Sequence, residues 1–473
     1  MEFTVTQSSQ RLRTPMADTQ TDLLSRRSKS PGPIPPKDSP NVFCRRKSDR
    51  FVKSPQNVGI PPRGSHFVRY LFSMHSKTSP TTSAAPSHIE WEEKGENRSA
   101  LWHSESGIAP PKRVVIGDDQ MTADSAYRLA CEGTAILWRG DFQNARQLLQ
   151  AVARRIDTRP KKSAKAKAKE RSAVPDAPPA APPAPAEAFN LHRLAQSQRA
   201  RTLGMLLLPL DTEYAIPLRR APVVKEACEE AYGAATGESV VSLREVLGLV
   251  GAHEWRKKGV DVEALGARIH PYYGVFSPVR GEYIKLVADQ PLPSKELAFD
   301  IGTGTGVLAA LLAQRGVKRV IATEIDTRAL ACARENIELL GYEQQVKVLE
   351  ADLFPEGRAP LIVCNPPWLP ARPSSAIEHA IYDPESRMLR GFLDGLAAHL
   401  TPGGEGWLIL SDIAEHLGLR TRAQFQEWVD RAGLKTDGRM DIRPHHPRAA
   451  DKTDPLYHAR SAEITSLWRL VPA

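Results

Sequence analysis

Three short stretches carry residue types that could do chemistry together. Asp300 precedes Gly302-Thr303-Gly304-Thr305-Gly306, where glycines let the backbone turn sharply and approach a ligand that a Cβ would hold away. Glu324 lies about 20 residues past the loop, at the end of an apolar run, where a carboxylate can accept hydrogen bonds from both hydroxyls of a ribose. Asn365-Pro366-Pro367-Trp368 presents a carboxamide, carbonyls on a stretch with two fewer N–H donors, and an aromatic plane. That set suits a planar NH2 group: Asn365 Oδ1 and the Pro366 carbonyl accept its hydrogens while Trp368 stacks on its face. Asp352 and Leu353 stand where they could meet an adenine amino group and its apolar ring. The loop reads G-x-G-x-G rather than the dinucleotide G-x-G-x-x-G, and it lacks the Lys-Ser/Thr of a P-loop, which rules out a nucleotide hydrolase.

Such residues need strands to carry them. Leu297-Ala298-Phe299-Asp300-Ile301 reads as a buried strand and residues 307–313 as the following helix. A second strand over 319–324, a helix over 327–340 preceded by Asp326, which could cap it or compete with Glu324 for the ribose, a third strand near 346–349 and a fourth over 361–364 continue the alternation. A helix over 387–400, a strand over 407–410, a helix over 423–432 and a terminal strand over 464–470 follow. Strands alternating with helices predict an α/β fold whose parallel sheet binds ligands at the strands' carboxyl ends.

Taken together, Asp300-x-Gly302-x-Gly304-x-Gly306, Glu324, Asp352 and Asn365-Pro366-Pro367-Trp368 resemble the motif series of class I S-adenosylmethionine-dependent methyltransferases. Within them, N-P-P-aromatic resembles the release-factor glutamine methyltransferases and the related small-domain ribosomal RNA base methyltransferases. The resemblance covers approximately residues 255–473. It implies a Rossmann-like, seven-stranded sheet with a reversed last strand, and S-adenosylmethionine as methyl donor. On this resemblance Asp300, Gly302, Thr303, Gly304, Gly306, Glu324, Asp352, Leu353 and Asn365 surround the cofactor, and Asn365, Pro366, Pro367 and Trp368 form the catalytic set. The expected acceptor is a protein glutamine side-chain amide. Alternatives are a nucleic-acid base, with Lys161–Lys169 tracking phosphate, a small molecule, and a non-catalytic binding module.

The chain has 473 residues and a formal net charge of +9. Residues 1–120 hold 18 Lys+Arg against 12 Asp+Glu, and Arg159–Arg171 holds seven bases and one acid, which leaves −3 for the rest. The body that would fold is therefore not basic. Residues 1–120, rich in Ser, Pro, Arg and Lys, are expected to be a disordered extension: dispensable, a regulatory tail, or a sequence directing import into an organelle. Residues 121–158 read as a helical hairpin turning at Arg139-Gly140-Asp141, with Ile136 and Leu137 on the first helix. Residues 159–189 read as an extended Lys/Pro/Ala-rich linker, 190–272 as a small accessory α/β domain, and 273–473 as the domain with the motifs.

No apolar run approaches the roughly 20 residues that cross a bilayer. Cys44, Cys131, Cys228, Cys332 and Cys364 are scattered, as reduced thiols of a cytoplasmic protein would be, and no metal site is expected. Cys364 reads as a buried structural thiol. His379, Tyr382 and Asp383 suit a lid or substrate contact, with Asp383 equally suited to helix capping. His445 and His446 read as part of a basic loop.

Overall fold

The computed structural model of the chain describes residues 87–171, 183–279, 281–444 and 450–473. His445 and His446 lie outside them. The N-terminal strands are β1 (His88–Glu93), β2 (Glu96–His103), β3 (Arg113–Gly117), β4 (Thr134–Trp138), β5 (Leu206–Leu210) and β6 (Ser239–Ser242). They form one sheet in the order β1-β2-β6-β5-β4-β3. Lys94 and Gly95 join β1 to β2, both with positive φ, 56° and 81°, as tight hairpins with native twist require. Helices α1 (Ala123–Cys131), α2 (Phe142–Arg171), α3 (Pro185–Leu203), α4 (Lys225–Tyr232) and α5 (Leu243–Lys258) belong to this half of the chain.

Three expectations are corrected here. Residues 88–117 are not disordered: their strands bury Ile89 and Ala100 against Leu137 and Leu207. The helical hairpin is interrupted by β4, whose five residues are all buried in mid-sheet. A short apolar run fits strand and helix patterns alike, and the sheet decides it. The linker is extended neither at its start nor at its end, because α2 continues to Arg171 and α3 begins at Pro185. Alanine and lysine are good helix formers, and proline is tolerated in a helix's first turn.

A short hairpin, β7 (Val260–Val262) and β8 (Ala267–Ile269), leads to the second sheet. Its strands are β9 (Leu297–Ile301), β10 (Arg319–Glu324), β11 (Val346–Glu350), β12 (Ala359–Cys364), β13 (Leu400–Ser411), β14 (Leu434–Ile442) and β15 (Thr465–Pro472). Their order is β11-β10-β9-β12-β13-β15-β14, with β15 antiparallel to both neighbours. Helices α6 (Glu282–Asp289), α7 (Val307–Gln314) and α8 (Thr327–Leu339) pack on one face around Leu308, Leu311 and Ile337. On the other, α9 (Arg387–His399) and α11 (Arg422–Arg431) pack around Phe392 and Phe425, while α10 (Ile413–His416) and α12 (Tyr457–Ala462) lie beyond the sheet end. Helix α3 joins two cores: Leu203 is buried in the N-terminal one, and Phe189 packs with Leu369, Ile381 and Tyr382. Among the described residues no helix is long and apolar enough to cross a membrane.

The start of α11 carries a reciprocal cap. Gln424 N–H donates to Thr421 Oγ1 at 3.1 Å and Thr421 N–H to Gln424 Oε1 at 2.9 Å. Thr421→Ala is expected to lower stability by about 1 kcal/mol, read as a lower urea midpoint at unchanged slope.

Candidate active site

Register delivers the site. Ile301 pairs with Thr323 on β10 and with Cys364 on β12, so three strands reach their carboxyl ends abreast. The next residue on each chain segment is Gly302, Glu324 or Asn365. Connections run from β9 to one side of the sheet through β10 and β11, and to the other through β12 and β13. A crevice opens at such a reversal. Here it has a volume of about 880 Å³ and is lined by Gly302, Thr303, Gly304, Glu324, Asp352, Leu353 and the whole Asn365–Trp368 loop.

The glycine loop is shaped from behind. Gly302 and Gly304 both take positive φ, 67° and 59°. A Cβ on Gly304 would meet nothing within 4 Å, so its backbone faces open space, whereas one on Gly302 would fall 2.3 Å from Met388 Cε. Asp300 is 1% exposed and off the wall of the crevice. Its Oδ2 accepts from the Thr303 hydroxyl at 2.6 Å, which ties the loop to the strand, and burial pushes its carboxyl up to about 6. Gly306 is off the wall as well. At φ 83° it starts α7, and a Cβ there would sit 3.3 Å from the Ala333 carbonyl oxygen. Asp300 and Gly306 thus stand behind the loop and set its shape.

Glu324 is largely committed to backbone. Oε2 accepts from Gly304 N–H at 3.0 Å, and Oε1 from Ile325 and Asp326 N–H at 2.9 and 3.0 Å. A carboxylate has about four acceptor positions, so about one remains for a ligand hydroxyl. Ile325 lines the crevice at 59% exposure, an apolar side chain available to a flat ring and missed by the sequence reading. Its position directly after the strand-end acid was the available signal. Asp326 caps α8 through Ala329 N–H at 2.8 Å. Asp352 pairs with Arg387 at 2.5 Å, and Leu353 stands in the left-handed region at φ 73°, its carbonyl accepting from the Thr323 hydroxyl at 2.6 Å.

At the far wall Trp368 Nε1–H donates to Asn365 Oδ1 at 3.0 Å. A donor on that atom fixes which end of the carboxamide is oxygen, and one lone pair on it remains. Trp368 is thereby anchored through its indole nitrogen. Cys364 is fully buried and its thiol is pushed well above the usual range by burial, which fits a structural thiol. Asp383 caps α9, accepting from Met388 and Leu389 N–H at 3.0 and 3.1 Å, while His379 and Tyr382 line the crevice. Glu385 and Ser386 between them take positive φ, 57° and 56°. Two non-glycine residues in that region are held by the packing around them, and they bend the chain back toward the cleft.

The residues present fit S-adenosylmethionine: a loop backbone open to a ligand at Gly304, a strand-end carboxylate with acceptor capacity, and apolar side chains at Ile325 and Leu353 for a flat base. The sheet reversal gathers the glycine loop, the strand-end acid and the Asn365–Trp368 loop around one crevice. Residues 273–426 match the model of the methyltransferase small domain family. Over 121 residues the chain is 37% identical to the release factor glutamine methyltransferase of Cereibacter sphaeroides, covering 22% of this chain and 43% of that one. Over 127 residues it is 34% identical to the tRNA1(Val) (adenine(37)-N6)-methyltransferase of Tolumonas auensis, covering 25% and 53%. The chain thus spans about half the length of these curated relatives. A crystal structure of a methyltransferase from Pyrococcus furiosus aligns at a TM-score of 0.32 and 20% identity, over 49% of this chain and 99% of that one.

Glu324→Gln keeps the shape but turns one acceptor oxygen into a donor facing backbone N–H groups. It is expected to weaken S-adenosylhomocysteine binding about tenfold, as loss of roughly 1.4 kcal/mol would, measured by calorimetry.

Proposed function

We propose that the protein is an N-methyltransferase that moves a methyl group from S-adenosylmethionine to a planar NH2 group, and that the acceptor is a protein glutamine side-chain amide. The bound cofactor supplies a methyl already activated on a cationic sulfonium. Asn365 Oδ1 and the Pro366 carbonyl accept the two hydrogens of the amide and hold its plane, while Trp368 covers one face. An amide nitrogen is a weak nucleophile, so alignment carries most of the rate. A dedicated base is not required, because the methylated amide cation sheds its proton readily to water.

The observation that carries this reading is the Trp368–Asn365 hydrogen bond, which pre-sets an acceptor oxygen beside an aromatic face on the same crevice as the glycine loop. The charge of the crevice favours a protein acceptor. On its wall Arg328 and Arg387 are paired with Glu105 and Asp352, which leaves the carboxyls of Glu324, Asp326 and Asp383 in excess. Such a wall suits a sulfonium and repels a phosphate backbone. The second reading, an adenine N6 acceptor, is supported by the similarity to the tRNA adenine-N6 enzyme.

The test is transfer of a labelled methyl group from S-adenosylmethionine into a cell extract by wild type and Asn365→Ala, with the product divided between protease and ribonuclease. Protease-sensitive label that maps to glutamine is expected. Ribonuclease-sensitive label would replace the proposed acceptor with a nucleic-acid base.

A further inference from the structure

The wall of the crevice includes two residues from the other half of the chain. Glu105 and Ser106, in the turn after β2, line it beside Arg328. Arg328 is the second residue of α8, and a cation in a first turn opposes the helix dipole. Its guanidinium is held elsewhere: it donates to Glu105 Oε2 at 2.8 Å, to the Ala231 carbonyl at 3.0 Å and to the Tyr273 carbonyl at 3.4 Å. Glu105 is anchored in turn, its N–H donating to Glu245 Oε1 at 2.9 Å, and the same oxygen accepts from the Tyr232 hydroxyl at 2.5 Å. Side chains of the Arg328–Glu105 pair are only 28% and 15% exposed, so solvent screens the contact weakly.

This chain of contacts ends at the turn that matters for the cofactor. Arg328 follows Glu324 by four residues, and the intervening Ile325 and Asp326 supply the N–H groups that orient the Glu324 carboxylate. Asp326 also favours the Arg328 charge, through space alone and more weakly than Glu105. Without Glu105, the guanidinium's remaining acidic neighbour is on the turn itself, and a contact there would pull on the N–H groups that hold Glu324.

We propose that Glu105 is a positioning residue for the cofactor: by holding Arg328 it fixes the turn bearing Glu324, so that the N-terminal domain completes the cofactor site. The inference rests on the S-adenosylmethionine reading above. It predicts that the two domains are coupled through one ion pair, and a pair that acts as a unit is non-additive on mutation.

The test uses the full chain and calorimetric titration with S-adenosylhomocysteine. Glu105→Gln and Arg328→Ala are each expected to weaken binding about tenfold, within the usual size of a coupling between two sites. The double variant should be no weaker than the weaker single variant. Arg328→Lys, which keeps the charge but forms fewer of the guanidinium's four hydrogen bonds, should fall between wild type and Arg328→Ala, and it guards against a misfolded alanine variant. Unchanged affinity in the single variants, or losses that multiply in the double variant, would overturn the inference while leaving the cofactor reading intact. A wild-type chain that binds no S-adenosylhomocysteine would overturn the cofactor reading and this inference with it.

Discussion

Asn365→Ala is expected to lower methyl transfer about a hundredfold, the size of effect that misplacing a reacting group by about 1 Å produces. Affinity for S-adenosylhomocysteine should barely change. The asymmetry follows from the site: the ribose end is built by Glu324 on β10 and the glycine loop after β9, whereas Asn365 ends β12. Its removal takes away one acceptor for the acceptor nitrogen and also the partner of the Trp368 indole N–H, 3.0 Å away. The aromatic plane would lose its anchor together with the carboxamide. Single-turnover transfer and calorimetry on the same preparation separate the two effects. Parallel losses in binding and turnover would place Asn365 in the cofactor site alone and sink its assignment to the acceptor.

Asp300→Asn is expected to change how stability responds to pH by about 3 kcal/mol between pH 4 and 6, if the whole shift is expressed. Burial raises the Asp300 carboxyl to about 6 from an ordinary value of 3.8, against the lowering effect of the Thr303 hydroxyl and the Ala309 N–H. Between those two values the folded chain binds a proton that the unfolded chain has released. Stability contributed by this group is therefore full below about pH 4 and declines as pH rises through about 6. An asparagine does not titrate. The stability of Asp300→Asn relative to wild type should thus shift in the variant's favour as pH rises from 4 to 7, whatever constant penalty the substitution carries. Urea unfolding of both proteins at pH 4, 5, 6 and 7 reads the difference, and a pH-independent difference would remove Asp300 as its source.

The motifs were legible in the sequence because each is local. Strand, glycine loop and helix follow one another within Leu297–Gln314, and the Asn365–Trp368 loop needs only a strand before it. What stands in front of the crevice and what stands behind it was not legible. Asp300 and Thr303 are three residues apart, yet one is sealed under the loop and the other lines the wall, a distinction made by strand pleat and helix packing. Edge strand β14 was missed because its faces are mostly exposed, which leaves Leu434 and the polar Lys-Thr-Asp-Gly after it without a clear apolar alternation. Glu105 was out of reach for a different reason. It lies more than 200 residues from Arg328, in a stretch whose polar flanks mask three strands that share a sheet with β4, β5 and β6.

The consecutive prolines after Asn365 bear on how many methyl groups a nitrogen can take. They leave the loop lined with acceptors, which match a primary amide with its two hydrogens. After one transfer a single hydrogen is left for two acceptors, and the unmatched oxygen loses its partner at a cost of about 1–3 kcal/mol if it stays dry. The product is thus held less well than the substrate it came from. If the acceptor is the proposed amide, a loop whose two prolines offer no backbone N–H favours departure after the first methyl over a second round.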